Sequence, residues 1–520
     1  MNAFVAKHRS KINGVLECFD RVILRGHLPM ASCDYFAVWL RSKQIALNLK
    51  HREPGWWTFK EAAPWFATQL KTHALTVAAS AGRSYKHLSS HQPMEEQARA
   101  VAERDDITDG LVCVYGTMET CQTFRVRFAE QGPNLGPDRR VCLVIYYYYM
   151  DRDFGLMHVK LQTWFPFTMQ IYVNGHEWLA RKLSQRGIDF KKVDNAFIKL
   201  ADFQRAAICA KQFWRRDWPK FLDCLASRVN PLLKDWLAGQ SYYWVIDQAE
   251  YSTDVVFADR NALATLRPAL YEHAALCFGA RQVMTFLGRK YRETFAGDVR
   301  SKWHPREPGG GVKHWVKRNA LKMYDKEGSV LRIETVINNP KEFFVHRPRV
   351  KCDGTTEVGW FPMAKGVANL YRYAEVSASA NSHYLEALAV VNDLGVGQSD
   401  FDRRCAPVFS QGRTHRALQP MGRDDQALFQ AALCGEHAVR GFRNGELAER
   451  LLGPRPRDAA ERRRRCGRIS RRIALLRAHG LVAKVPRSRR YRVTPSGQRF
   501  MSTAIHVRAK LFAKELTALS

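Results

Sequence analysis

The chain has 520 residues, 46% hydrophobic and 11% aromatic, which exceeds one ordinary hydrophobic core and predicts roughly two to four domains. Its formal net charge of +32 goes beyond what solubility requires and points to a polyanionic partner, nucleic acid first. An anionic membrane surface would ask for a basic amphipathic helix or a lipidation motif, and neither is present. The longest apolar run, VCLVIYYYYM at 141–150, is too short to cross a bilayer, and MNAFVAKHRSKING lacks the apolar centre of a signal peptide. A soluble, cytoplasmic protein is expected. The 12 cysteines form no CxxC pair, so they read as small buried hydrophobes rather than zinc ligands or a redox motif. GGGVK at 309–313 lacks the spacing of a phosphate-binding loop, which argues against NTP hydrolysis.

In chain order, GVLECFDRVILR (14–25) reads as a strand, 58–80 and 92–105 as helices, and DGLVCVYG (109–116) as a strand. From 139 to 174 the period is two. Met157, Val159 and Leu161 should face a core, leaving His158, Lys160 and Gln162 on a polar row beside Gln170 and Tyr172 of the next strand. Phe167, Met169, Ile171 and Val173 complete the apolar side. NGHEWLARKLSQRG then predicts a helix with Asn174 as N-cap and Gly187 as its stop. A helical region to about 238, strands YYWVIDQ and TDVVFAD, and helices at 259–276 and 280–291 follow. HPREPGGG (304–311) reads as a loop, and 363–393 as a long helix. The fold class is mixed α/β. The expected domains are an N-terminal α/β domain (1–135), a basic sheet-containing body with helical insertions (136–395), a linker (396–423) and a module at 424–520.

That module concentrates the charge, since residues 401–520 hold 27 Lys and Arg against 9 Asp and Glu. The expected order is a helix (DDQALFQAALCGEH), a helix from Asn444, a third helix ERRRRCGRISRRIALLRAHG and the hairpin LVAKVPRSRRYRVT. Ile469, Ile473, Leu476 and Cys466 make a core stripe at helical spacing, while Arg464, Arg465, Arg468, Arg471 and Arg472 project elsewhere. The block LLRAHGLVAKVPRSRRYRVTPSGQ resembles the recognition helix and wing of MarR-like winged-helix regulators. The resemblance implies duplex DNA binding through Arg468, Arg471, Arg472, Arg487, Arg489 and Arg490; Arg464 and Arg465 are further candidate contacts by charge, and a homodimer is one expected form. Structured RNA is the other polymer such charge fits. His158 and Lys160 are further candidate contacts for a single strand, with WFPF (164–167) and Trp56-Trp57 as stacking or core aromatics.

LKMYDKEGSVLRIE (321–334) reads as a hairpin with a three-residue turn, EGS. This register sets Tyr324 opposite Arg332 and Lys322 opposite Glu334, with Leu321, Met323, Leu331, Ile333 and Ile337 buried. YDK followed by RxE resembles the strand pair of rolling-circle replication initiators. That resemblance implies Tyr324 as a nucleophile on a phosphodiester, Glu334 helping to hold Mg²⁺ or Mn²⁺, and Arg332 or Lys326 stabilising charge. None of the 17 histidines forms the HxH metal motif of such enzymes. An alternative metal-dependent nuclease would use clustered carboxylates: Asp20, Asp151 or Asp153, and Glu250 or Asp254. The body otherwise resembles uncharacterised bacterial proteins. The expectation is a nucleic-acid-binding protein with a mobile-element, replication or recombination role, against a non-enzymatic MarR-like regulator or an RNA-binding ribonucleoprotein component.

Overall fold

The computed structural model describes residues 1–47, 56–89, 91–130, 132–291, 295, 297–304, 310–391 and 398–517. The chain is mixed α/β. It opens with α1 (Asn2–Lys7), β1 (Ile12–His27), α2 (Cys33–Ser42), the short β2 (Ile45–Ala46) and β3 (Trp57–Thr58), α3 (Phe59–Ser80), β4 (Tyr85–His87) and α4 (Met94–Arg104). A meander follows: β5 (Gly110–Ala129), β6 (Gly132–Asp151), β7 (Gly155–Gln162) and β8 (Met169–Asn174). Then come α5 (Gly175–Gln185), β9 (Phe190–Val193), β10 (Ala196–Leu200), α6 (Phe203–Lys211), α7 (Trp218–Val229), α8 (Leu232–Asp235) and β11 (Tyr243–Phe257). After α9 (Arg260–Cys277) and α10 (Ala280–Phe286) lie β12 (Val299–His304), β13 (Gly311–Val316), β14 (Asn319–Lys326), β15 (Val330–Ile337), β16 (Phe344–Val350), β17 (Thr356–Pro362) and α11 (Leu370–Leu388). The last part holds α12 (Gln398–Arg404), β18 (Val408–Ser410), β19 (Arg413–His415), α13 (Arg423–Ala432), α14 (Gly435–Arg440), α15 (Asn444–Leu452), α16 (Ala459–Ala478), β20 (Val482–Lys484), β21 (Tyr491–Val493) and α17 (Pro495–Thr517).

These elements fall into two compact units, each built from separated pieces of chain. The first gathers Met1–Val15, Thr253–Thr335 and Val376–Ser520; the second gathers Leu16–Ser252 and Val336–Glu375. In the first, strand order is β12-β13-β14-β15-β11; in the second it is β11-β1-β8-β7-β6-β5-β4. The second is a mixed sheet, because β4 pairs parallel to β5 while β5-β6, β6-β7, β7-β8 and β8-β1 are antiparallel.

The period-two reading holds across β7 and β8. His158 pairs with Tyr172 and Lys160 with Gln170, and Met157, Val159, Leu161, Met169, Ile171 and Val173 are all buried. The helix after this meander starts and stops as expected. The Asn174 side chain accepts from the His176 and Glu177 amides, and Gly187 takes φ +62°, a conformation that a side chain would strain. Gly175 meets a different constraint. A Cβ there would lie 2.1 Å from the carbonyl oxygen of Phe19, so only glycine lets α5 begin flush against β1.

Several expectations change. YYWVIDQ and TDVVFAD form one continuous strand, because the intervening AEYS is as buried as its flanks and offers no turn. The expected helical region to 238 contains the β9-β10 hairpin, and the expected helix at 363–393 begins at Leu370, after the β16-β17 ribbon. The linker segment holds α12 and the β18-β19 hairpin, although its residues 396–397 lie outside the described residues, as do 392–393 of the expected helix and 305–309 of the expected loop. DDQALFQAALCGEH is two helices rather than one. Four cysteines (224, 277, 352 and 466) are exposed, so the buried reading of cysteine applies only in part. Trp57 packs edge-on against Trp65 and lies 5.6 Å from Trp236, while Phe165 and Phe167 are fully buried, so these aromatics build a core.

Replacing Gly175 with alanine should cost about 1–3 kcal/mol of stability through the clash with Phe19. Urea unfolding measures it, and an unchanged midpoint would show that α5 can retreat from β1. A second expectation concerns acid. Burial pushes His8, His314 and His437 down to about 4, with Lys7 and Lys11 adding to the effect at His8. Each binds its proton more weakly folded than unfolded, so stability is full above about 6.5 and is lost as pH falls from there toward 4. Between pH 7.5 and 5.5, before most carboxylates titrate, the loss should be about 1 kcal/mol per imidazole. A flat profile of urea midpoint against pH would contradict it.

Candidate functional site

In the first unit, the β14-β15 turn places Glu327 and Gly328 at φ +56° and +73°, and the Ser329 amide donates to the Lys326 carbonyl at 3.3 Å. Lys322 Nζ donates to Glu334 Oε1 at 2.6 Å, and the Tyr324 hydroxyl donates to Glu334 Oε2. Lys322, Tyr324 and Glu334 therefore share a face, as a three-residue turn requires. The setting of that face differs from expectation. Every residue of β15 is buried, because β15 lies between β14 and β11 instead of at an edge. Arg332 is fully buried and grips Asp254 with two bonds of 2.7 Å, from Nε to Oδ1 and from Nη2 to Oδ2. Arg267 donates to Asp325 at 2.6 Å, and burial pushes the Asp325 carboxyl above its ordinary range despite this contact. Lys326 is half-buried at the turn. The Tyr324 hydroxyl thus rests on a carboxylate able to take its proton, the relation a tyrosine nucleophile needs.

In the second unit, Asp20 on β1 and Glu250 on β11 present carboxylate oxygens within 4.8 Å of each other. Gly175 lets His176 reach this place. Its Nδ1 lies 3.1 Å from Asp20 Oδ1, and its Nε2 is 3.4 Å from the Ser252 hydroxyl. Asn195, on the β9-β10 turn, donates to Asp20, and Gln248 donates to Glu250. Two carboxylates this close and this buried repel unless a cation, a proton or donors answer them. Carboxylate oxygens are the ligands that suit Mg²⁺ or Mn²⁺. His176 and Asn195 had no sequence signal, since strand register and a hairpin bring them in from 156 and 175 residues away.

The other acidic candidates serve the fold. Asp151 Oδ1 accepts from the amides of Asp153 and Phe154 and closes the β6-β7 turn. Asp153 accepts from Lys182 at 2.9 Å and from Arg216; burial pushes its carboxyl up, but these two cations outweigh burial and hold it below the usual range. Asp254 is the partner of Arg332.

The expected polar row of the sheet is occupied by its own neighbours. His158 stacks on Tyr172 with centroids 5.3 Å apart and planes 9° from parallel; burial first, then Lys160 and Arg21, push its pKa down to about 3. It is neutral at pH 7 and adds no charge. Lys160 Nζ bonds Glu119 at 2.6 Å, and Gln162 Nε2 spends itself on the carbonyls of Gln122, Trp164 and Phe165.

In the last segment of the first unit, Ile469, Ile473 and Leu476 of α16 pack with Leu428, Phe429, Phe442, Leu447, Leu481 and Phe500, whereas Cys466 is exposed and leaves the stripe. Arg465 is turned inward, bonding Glu461 and the carbonyls of Leu452 and Pro454, and Arg490 holds Gly441 and Glu446. Both are part of the scaffold. Arg464, Arg468, Arg471, Arg487 and Arg489 are exposed, Arg472 is half-buried, and among the described residues none of the six has an ion-pair partner.

Arg332→Met should cost about 3–5 kcal/mol, because it strands Asp254 as a buried charge, while Arg332→Met with Asp254→Leu should recover much of the loss. Denaturant titration of the two variants and the parent decides it, and equal costs for single and double variants would show that the pair is not coupled. Comparison with models of protein families, with curated proteins and with solved structures finds no match to this chain.

Proposed function

We propose that the protein binds duplex DNA through a winged helix at residues 424–520. The observation that carries this reading is the set of exposed arginines on α16 and at the tip of the β20-β21 hairpin that have no ion-pair partner among the described residues. Fixed charges of one sign that no carboxylate answers are what a phosphate backbone neutralises, with release of its counterions. The order of elements supports it. Helices α13 and α14 precede a bridge in which Phe442 and Tyr491 exchange amide–carbonyl bonds of 2.8 Å, and α15, α16 and the hairpin follow. Phe442 thereby bridges to the hairpin at the place where the first strand of a winged helix would pair, and α16 would take the major groove with Arg487 and Arg489 reaching the neighbouring backbone. A MarR-like regulator and a mobile-element protein would share this module; a body of this size favours the second.

A second reading has its own observation, the Asp20–Glu250 pair beside His176. It gives the body divalent-metal-dependent cleavage of phosphodiesters, with the carboxylates as metal ligands.

Arg468→Ala with Arg471→Ala should weaken binding to a 40-base-pair duplex at least about tenfold and make the dependence of log K on log salt shallower by about 2, as two lost phosphate contacts require. Fluorescence anisotropy with the full chain reads both quantities, and unchanged affinity and slope would end the winged-helix reading. For the body, Mn²⁺ titrated into the protein should show bound metal by electron paramagnetic resonance and nick supercoiled DNA, both lost in Asp20→Asn. Nicking lost in Tyr324→Phe as well would add the tyrosine to the chemistry, and Mn²⁺ that stays free in the parent protein would remove the metal reading.

A further inference from the structure

The β16-β17 ribbon of the second unit has no role in either reading. Its register pairs Phe344 with Pro362, His346 with Trp360, Pro348 with Val358 and Val350 with Thr356, so these eight residues share one face. Much of that face is open, although Arg372 lies 5.2 Å over the Trp360 ring: Phe344 is 51%, Trp360 60%, Val358 63% and Val350 68% exposed. Every residue from Pro348 to Val358 is exposed on both faces, so the distal half of the ribbon packs on nothing. Its tip is nonetheless a built turn. Asp353 Oδ1 accepts from the amide and hydroxyl of Thr355, Gly354 takes φ +80°, and the Lys351 amide donates to the Thr355 carbonyl at 2.8 Å.

A free two-stranded ribbon is marginal in water, and one that displays Val350, Val358 and Trp360 is a surface made for a partner. The chemistry selects the partner. Arg347 and Arg349 lie on the opposite face, each 5.5 Å over the Phe361 ring, and neither has a carboxylate partner among the described residues. Pro348, with no amide hydrogen, stands between them and blocks addition of another strand to the β16 edge. The ribbon thus carries guanidinium groups on one side, where Glu357 opposite Arg349 is held by Lys351, and apolar and aromatic wedges on the other. A two-stranded ribbon fits a DNA groove, arginines answer its phosphates and apolar side chains press against sugars and base edges.

We propose that the β16-β17 ribbon is a second duplex-DNA contact, inserted into a groove with Arg347 and Arg349 toward the backbone and Val350, Val358 and Trp360 as wedges. The inference rests on the duplex-binding reading, and its test separates the two. The full chain, Arg347→Ala with Arg349→Ala, Trp360→Ala, and Arg468→Ala with Arg471→Ala are compared on one labelled 60-base-pair duplex over a range of salt. Because Arg349 and Trp360 are exposed and Arg347 is half-buried, thermal unfolding should change little in the ribbon variants. The arginine variant should bind about fivefold to tenfold more weakly with a salt slope shallower by about 2. Trp360→Ala should weaken binding with the slope unchanged. Hydroxyl-radical footprints of both ribbon variants should lose one protected segment that the Arg468/Arg471 variant keeps. Ribbon variants that match the parent in affinity, slope and footprint overturn this inference while leaving the winged helix standing. So does a change in solution mass on Trp360→Ala with DNA binding intact, which would make the ribbon a self-association surface. An unaltered chain that binds no duplex removes both.

Discussion

Charge placed inside a sheet must be answered at hydrogen-bonding distance, and this constraint organises both units. In the first, Arg332 has no exposed surface, so its guanidinium could be buried only against the carboxylate of Asp254 on β11, with Glu334 similarly met by Tyr324 and Lys322 on β14. In the second, Asp20 is met by Asn195 and His176. Each of these groups fixes a register, because a slip of one residue would turn the charge away from its partner and into apolar surroundings. Stability gained from such pairs is modest; what they enforce is one arrangement out of many.

The same constraint separates scaffold arginines from available ones. Arg465 and Arg490 stand in the same basic stretches as Arg468 and Arg489, yet the first two are spent on Glu461, Glu446 and backbone carbonyls that end a helix or a turn. Net charge counted along the chain cannot make this distinction. The cations open to solvent are therefore fewer than +32 suggests, and α16 and the hairpin tip hold Arg464, Arg468, Arg471, Arg487 and Arg489 among them.

Legibility in the sequence followed the range of the interactions. Local signals read well: the Asn174 cap, the Gly187 stop, the alternating faces of β7 and β8, and the start of α15 at Asn444 are set within a few residues. The sharing of one face by Lys322, Tyr324 and Glu334 followed from a turn length. What failed depended on neighbours distant in sequence. Whether β15 is an edge or an interior strand is decided by β11, more than seventy residues earlier, and with it whether Arg332 is a surface cation or a buried one. Likewise His158 looks like a free polar residue until Tyr172, Tyr146 and Tyr148 close around it.

The discontinuity of the units has a consequence for synthesis. Met1–Val15 belongs with Thr253–Thr335 and Val376–Ser520, and Leu16–Ser252 is completed only by Val336–Glu375. On the ribosome the first segment emerges on the order of tens of seconds before any of its partners exist. During that wait β1 exposes an apolar edge with nothing to pair on one side, and neither unit can close until most of the chain has been made. Maturation of this protein is therefore paced by translation and open to holdase chaperones in a way that a chain of consecutive domains, each sealed before the next appears, is not.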